Sequence, residues 1–368
     1  MPKSKFNQNM KATKAAHELG FTEREDLLWQ VDLAKESKRD VLKRMANARR
    51  GATTLANQIK QLDKVFTRKP NFSIFVPKTG TSTSEATAVT LASDWHVDTV
   101  VKTIQILGGI NEHNVAIGRR RTEEYIKKLV TLIDYQRATG KKIDTLVFWA
   151  GGDFVNGIIH EEFHYTNELL PMDALNEAEN QLIWAIEFLL ANGGFKKIII
   201  PCSVGNHARL TEKKLIAIAN QTNSEMSIYY HLQKYFRKDA RIEVILPTGL
   251  FTQVGVYNRQ IMFTHGDCVP YGGGIGGLSI PLAKRIPVWD SLCKSELGAD
   301  GKPKRPYMYC IGHFHQFIPG TRAIVNGALV GYDAYAQEIC APPEKPSQTL
   351  FYMDPNYGLT DIEPIWVA

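Results

Sequence analysis

The chain has 368 residues, 44% of them hydrophobic and 22% charged, with a formal net charge of +6. That composition excludes a disordered polyelectrolyte and a low-complexity chain, and it suits one large globular domain with a smaller appendage. No apolar run reaches the roughly 18 residues a membrane helix needs, Met1-Pro2-Lys3-Ser4-Lys5-Phe6 lacks the apolar core of a signal peptide, and five widely spaced cysteines without a C-x-x-C pair argue against a disulfide framework or a zinc ribbon. The expected setting is reducing and cytoplasmic, without a membrane.

The positive charge is concentrated at the N-terminus. Residues 1–70 hold 16 Lys and Arg against 8 Asp and Glu, a net of +8; of the chain's 44 and 38, this leaves 28 basic against 30 acidic residues elsewhere. A basic segment on a near-neutral body suits a polyanion-binding appendage, with a solvated helical face as the plainer alternative. Residues 8–68 read as helical: there is no proline between Pro2 and Pro70, and Leu27, Val31 and Ala34, then Leu55, Ile59, Leu62 and Phe66 keep helical spacing. Thr22 and Glu25 form a capping-box signature. The stretches 22–34 and 38–50 could form a helix-turn-helix that binds DNA, or a hairpin used for packing or homo-oligomerisation. Residues 71–87, with the tract Lys78-Thr79-Gly80-Thr81-Ser82-Thr83-Ser84, are expected to be a linker, interrupted by a short strand at 72–76.

From residue 88 strands and helices alternate, which predicts a layered α/β catalytic domain over 88–368. Strands are expected at 88–92, 145–149, 197–201, 260–264 and 308–311, helices at 120–139, 173–192 and 225–236, and further strands with turns from 323 onward. Each of the five strands runs into a block rich in Asp, Asn or His: Asp94-Trp95-His96, Gly152-Asp153-Phe154-Val155-Asn156-Gly157, Gly205-Asn206-His207, His265-Gly266 and Gly312-His313-Phe314-His315. Strand ends are where functional groups converge in α/β sheets, and the glycines permit the tight turns that present polar side chains there.

These ordered blocks resemble the calcineurin-like metallophosphoesterases, whose motifs run D-x-H, G-D-x-x-N-G, G-N-H, H-G and G-H-x-H. The resemblance implies a four-layer αββα sandwich, here with a mainly helical N-terminal extension, and a site for two divalent cations, manganese first, with zinc or iron as alternatives. It implies that Asp94, His96 and His315 hold one cation, that Asn206, His265 and His313 hold the other, and that Asp153 is shared. A hydroxide bridging the two would attack phosphorus, His207 would contact the phosphate and protonate the leaving oxygen, and Asn156 would help hold the phosphate. Most members carry Asp or Glu after the G-N-H histidine; this chain has Ala208 and then Arg209, a candidate for a bidentate phosphate contact. The G-N-H-x-R form, His160-Glu161-Glu162, Thr166-Asn167-Glu168 and Asn326-Gly327-Ala328-Leu329 also resemble phage and bacterial phosphoesterases akin to the nuclease subunit SbcD.

Two other motifs compete. His160-Glu161-Glu162-Phe163-His164 spells H-E-x-x-H, a zinc-protease helix signature, but lacks a third histidine at the usual short spacing; His160 or His164 lining the phosphate cleft is the favoured reading. Gly272, Gly274 and Gly277 match G-x-G-x-x-G without passing directly from strand to helix, and read better as a loop beside His265. The basic N-terminus, Arg119-Arg120-Arg121 and the SbcD-like features point to a DNA phosphodiester. Because 53 residues follow His315, too few for a capping domain, the expectation is a stand-alone nuclease acting without an SbcC-like ATPase, in a bacterial cell or phage-infected host. The alternatives are a phosphomonoesterase or cyclic-nucleotide phosphodiesterase, and a non-catalytic DNA-binding protein.

Overall fold

Runs of Val, Ile, Leu and Ala with little polar interruption make strands buried on both faces. Three such runs lie parallel: β1 (Ser84–Ala92), β2 (Lys141–Ala150) and β3 (Lys197–Pro201). The computed structural model describes residues 84–271, 277–293, 305–338 and 340–367, together with scattered positions between 25 and 57. A fourth parallel strand, β4 (Ile242–Ile245), extends one edge, and the antiparallel pair β9 (Ser347–Asp354) and β10 (Gly358–Trp366) extends the other, giving the order β10-β9-β1-β2-β3-β4. A second sheet has the order β5-β6-β7-β8, built from β5 (Thr252–Val256), β6 (Arg259–Thr264), β7 (Met308–Ile311) and β8 (Ala323–Val325); β6, β7 and β8 are parallel and β5 is antiparallel to β6.

The period-2 alternation of strand side chains sorts the core into three layers. Ala88 and Ala92 of β1 and Leu146, Phe148 and Ala150 of β2 pack towards helices α1 (Val115–Ala138), α3 (Pro171–Asn192) and α4 (Glu225–Tyr235), against Tyr125, Ile126, Leu182, Ile186 and Tyr229. Their neighbours Val89, Leu91, Val147 and Trp149 face the second sheet and meet Val254, Ile261, Phe263, Cys310 and Ile324. On the far side of that sheet Met262, Tyr309, Ile311 and Val325 pack with Leu282 and Trp289 of α5 (Ser279–Leu292). The order helix, sheet, sheet, helix is the four-layer αββα sandwich expected of a metallophosphoesterase-like domain. Two short helices, α2 (Phe163–Thr166) and α6 (Ala334–Glu338), lie in connecting segments.

Several bounds differ from expectation. Helix α1 starts at Val115, five residues before Arg120, because Asn114 caps it, its Oδ1 accepting from Ile117 N at 2.9 Å. β1 starts at Ser84, inside the segment expected to be linker. β4, β5, α5 and the α6 helix within the C-terminal strand region carry no expectation from sequence. The chain divides into two units, Met1–Gly80 and Thr81–Ala368. In the first, positions 25, 43, 45–47, 49–51, 53, 54 and 57 are helical. The rest of the expected helix-turn-helix, the strand at 72–76 and Gly272 and Gly274 lie outside the described residues.

Candidate metal centre

The side chains of all five blocks emerge just past the C-terminal ends of parallel strands: Asp94 and His96 after β1, Asp153 after β2, Asn206 and His207 after β3, His265 after β6, His313 and His315 after β7. The backbone there is bent in an unusual way. Among the described residues eight non-glycine positions have positive φ, and five of them are expected ligands: Asp94 (57°), His96 (46°), Asp153 (52°), His313 (70°) and His315 (52°). A side chain in the left-handed region costs about 1–2 kcal/mol, and such strain clusters at functional sites. It is held by bonds between the loops. Asp94 N donates to Gly152 O at 2.9 Å, His96 N to Asp153 O at 3.1 Å, and Gly312 N to His265 O at 2.8 Å. His313 N donates to both carboxylate oxygens of Asp94 at 3.1 Å. Gly205 is required by close approach, since a Cβ there would lie 2.6 Å from Asp153 Cγ.

The donors gather into three groups linked through His96 and Asp153. One donor atom from each of Asp94, His96 and His315 lies within 4.8 Å of the others, as does one from each of Asp153, His265 and His313, and one from each of His96, Asp153 and His207. His96 Nε2 and His315 Nε2 face each other at 3.2 Å, while His96 Nδ1 is buried without a partner. His265 Nδ1 donates to Gly151 O at 2.9 Å, which fixes the ring so that Nε2 points at Asp153 Oδ2 (2.8 Å) and Asn206 Oδ1 (3.2 Å). Imidazole nitrogens converging on carboxylates, with the His265 ring set by a backbone carbonyl, are what a borderline divalent cation needs. The residues present therefore fit two cations: Asp94, His96 and His315 would hold one, Asn206, His265 and His313 the other, with Asp153 shared.

Electrostatics agree with this donor set. Burial, reinforced by His207 and His315, holds His96 well below the ordinary histidine range, and burial with His265 pushes His313 down to about 4. Both present neutral lone pairs at neutral pH, the form a cation binds. Burial alone would raise Asp94 and Asp153, but both are drawn down: Asp94 by the His315 hydrogen bond and the His265 charge, Asp153 by the charges of His265 and His207. His265, conversely, is raised by Asp153 despite its burial.

His207 is locked at two points. Its Nδ1 donates to Asn156 O at 2.9 Å, and its backbone N donates to Asp153 Oδ1 at 2.8 Å. Its ring stacks on Phe163 with centroids 5.6 Å apart and stands edge-on to His96 at 4.7 Å. Nε2 is thereby left as the nitrogen turned to the donor cluster. Asn156 contributes its carbonyl to this lock, and its side chain donates to Asn167 Oδ1 at 2.7 Å. Arg209 turns back on its own loop, donating to the carbonyls of Asn206, Thr211 and Glu212 at 3.0–3.3 Å. The zinc-protease motif is not on a helix long enough to align its histidines, since α2 holds only Phe163–Thr166; His160 lies before it, 6.5 Å from the His207 ring between centroids. Arg119-Arg120-Arg121 is not a free basic patch. Arg119 pairs with Glu177, and Arg121, 5% exposed, donates to the carbonyls of Leu329, Val330 and Glu112, to Asn111 Oδ1 and to His113 Nδ1.

Sequence reasoning missed the residues that brace the loops. Position 208 lacks the expected carboxylate, but a buried one reaches this corner from α4: Glu225 accepts from Phe154 N and Gly205 N, both at 2.8 Å. Burial and the nearby Asp153 push Glu225 up to about 8, against the pull of those two donors. Gln348 accepts from Ser93 N at 2.9 Å, and Asn326 donates to Ser93 Oγ at 2.9 Å, so Ser93, whose hydroxyl donates to Asp94, is fixed from β9 and the turn after β8. Of these, only Asn326 stood in a segment singled out by its sequence.

No family model matches the chain, and no curated protein matches it. Among solved structures it is similar to a single-mutant form of Vps29 from Entamoeba histolytica, with a TM-score of 0.28 and 11% identity over 76% of this chain and 99% of that one. It is also similar to the sulfate thiohydrolase SoxB of Thermus thermophilus in complex with glycerol, with a TM-score of 0.31 and 9% identity over 76% of this chain and 57% of that one. Likenesses of this size carry no argument about the site, which rests on its own residues.

Proposed function

We propose that the chain is a phosphoesterase dependent on two divalent cations, manganese in the first instance, and that its substrate is a DNA phosphodiester. The observation that carries the catalytic reading is the run of donor groups linked through His96 and Asp153, with five of the donor residues held at positive φ. Strain repeated at the positions of one donor set has no use in a core that needs only to be stable. Bound there, a cation pair stabilises charge on the phosphoryl oxygens and lowers the pKa of an attacking water. The chain's own groups do the rest. Asp153 holds His207 through its backbone N and Asn156 O orients the ring through Nδ1; in the imidazolium form, which burial disfavours and the Asp153 charge favours, Nε2 would give its proton to the leaving oxygen. Phe163 stacks on that imidazole and keeps its plane.

The DNA reading is supported by the +8 balance of residues 1–70 and by the SbcD-like features of the sequence. Arg119 and Arg121 do not add to it, because both are committed within the fold. Among the described residues no helix is long and apolar enough to cross a membrane. The test is cleavage of linear, circular and single-stranded DNA with Mn, beside nitrophenyl phosphate and a cyclic nucleotide, in wild type and Asp153→Asn. DNA cleavage lost in Asp153→Asn is expected. Hydrolysis of the small esters alone would replace DNA by a small substrate, and full activity in Asp153→Asn would remove the catalytic reading.

A further inference from the structure

We infer that Glu225 is a positioning residue that sets the spacing between the loops carrying Asp153 and Asn206, and with it the separation of the two cation positions; this rests on the metal-dependent reading above. Glu225 is the first residue of α4 and is 0% exposed. Its Oε1 accepts from the N–H of Phe154, the residue after Asp153, and its Oε2 from the N–H of Gly205, the residue before Asn206. One rigid carboxylate thus spans two loops at the point where each delivers a donor. The start of α4 is tied to the same loop: Asn223 accepts from the backbone N of Glu225 at 3.0 Å and donates to Gly205 O at 2.8 Å. On the other side of the same loops Asp153 Oδ1 takes His207 N, so the Asp153 turn is gripped between His207 and Glu225.

The chemistry of Glu225 favours this role over simple packing. A buried carboxylate is costly unless it is paired or lies near a cation. Among the described residues no Lys or Arg forms an ion pair with Glu225. Its donors are two neutral backbone groups, and the Asp153 charge acts against its own, with His265 opposing that in part. A neutral acceptor would hold one loop at lower cost. Both side-chain oxygens accept, which is the bonding of a carboxylate rather than of the neutral acid, and a cation pair at Asp153 would offset the burial and the Asp153 charge that push Glu225 up. A glutamine could satisfy only one N–H, because its amide nitrogen would face the other N–H donor to donor.

The test is Mn binding to the full-length protein, wild type against Glu225→Gln, read by titration calorimetry and by the electron paramagnetic resonance signature of a coupled Mn pair. Thermal melting in chelator and kcat and KM on a nitrophenyl phosphodiester run beside it. Wild type should bind two Mn with a coupled signature. Glu225→Gln should bind the second Mn about 10- to 100-fold more weakly, lose or narrow the coupling, and lower kcat with KM little changed, while melting in chelator stays near wild type. Should Glu225→Gln fail to fold, Glu225→Asp carries the same test, since it keeps the charge but is too short to reach both N–H groups. Two Mn bound by Glu225→Gln with wild-type affinity and coupling overturns the positioning role and leaves the metal reading intact. Loss of folding in both variants makes Glu225 a structural residue only and also overturns it. Wild type that binds no coupled pair overturns the metal reading, and this inference with it.

Discussion

Gly205→Ala tests whether the close approach of two loops matters to the chemistry. A Cβ at Gly205 would lie 2.6 Å from Asp153 Cγ and nearer still to Asp153 Oδ1 and N, where ordinary contact begins at 3.4 Å. The obstacle is backbone and a fully buried carboxylate, so the loops must part by about 1 Å. Overpacking of this kind costs roughly 1–3 kcal/mol in stability. A reacting group misplaced by about 1 Å costs on the order of 100-fold in rate, or about 2.7 kcal/mol at 1.36 kcal/mol per factor of ten. The carboxylate that moves is the one proposed to serve both cations, so activity should fall by that factor even in the folded fraction. The assay is kcat on a nitrophenyl phosphodiester with saturating Mn, normalised to folded protein from a melting curve, with Mn stoichiometry beside it. Gly255→Ala in β5 is the control: a Cβ there meets nothing within 4 Å, and the change should be neutral or slightly stabilising. Gly205→Ala with wild-type kcat and two bound Mn would refute the reasoning.

His207→Ala should keep both Mn yet lose about 100- to 10,000-fold in turnover, with a smaller loss on nitrophenyl esters than on alkyl esters; equal losses would assign His207 to phosphate binding instead. His113 is buried as neutral imidazole, its pKa pushed down to about 3 by burial and by Arg121, against roughly 6.5 in the unfolded chain. The native state therefore binds fewer protons than the unfolded one in this window, so stability is full above pH 6.5 and falls by up to about 5 kcal/mol as pH drops towards 3. His113→Gln should flatten urea-unfolding stability between pH 6.5 and 4, and an unchanged slope would exclude this source. Arg121→Met strands three carbonyls and Asn111 Oδ1 in the interior and should cost about 3–5 kcal/mol in urea unfolding. Lys127→Met, which breaks only an exposed pair with Glu123, should cost under about 1 kcal/mol; similar costs for the two would show that the Arg121 network is weak.

Elements whose pattern is local were legible in the sequence. β3 and β7 have the expected bounds, 197–201 and 308–311, because each is a short apolar run cut off by its block. That the five blocks meet was legible for the same reason, since parallel strand ends share one edge. Three consecutive arginines misled, because charge suggests solvent, while Arg121 lies on the buried stripe of α1 with Gly118, Thr122 and Tyr125. Helix α5 gave little signal: Pro287 interrupts it, only Leu282 and Trp289 are buried, and Ile280 and Val288 are exposed. Glu225 was invisible because its partners are backbone groups 71 and 20 residues away, and no side-chain pattern marks a carboxylate that will bond to amides. H-E-x-x-H shows the reverse, a correct spelling on a helix of four residues.

Each of the two donor sets assigned to a cation draws from both sheets. Asp94 and His96 leave β1 and Asp153 leaves β2, while His265 leaves β6 and His313 and His315 leave β7. A cation at either proposed position would act as a rivet through the sandwich, fastening at one rim two layers that also meet across the side chains of Leu91, Trp149, Phe263 and Cys310. Stripped by a chelator, the seam should breathe from that rim inward, as a book opens at its unbound edge. Amide hydrogen exchange would register it first at Asp94, Gly312 and His313, whose N–H groups bond across the seam or beside it, while the far ends of β1 and β2 stay protected.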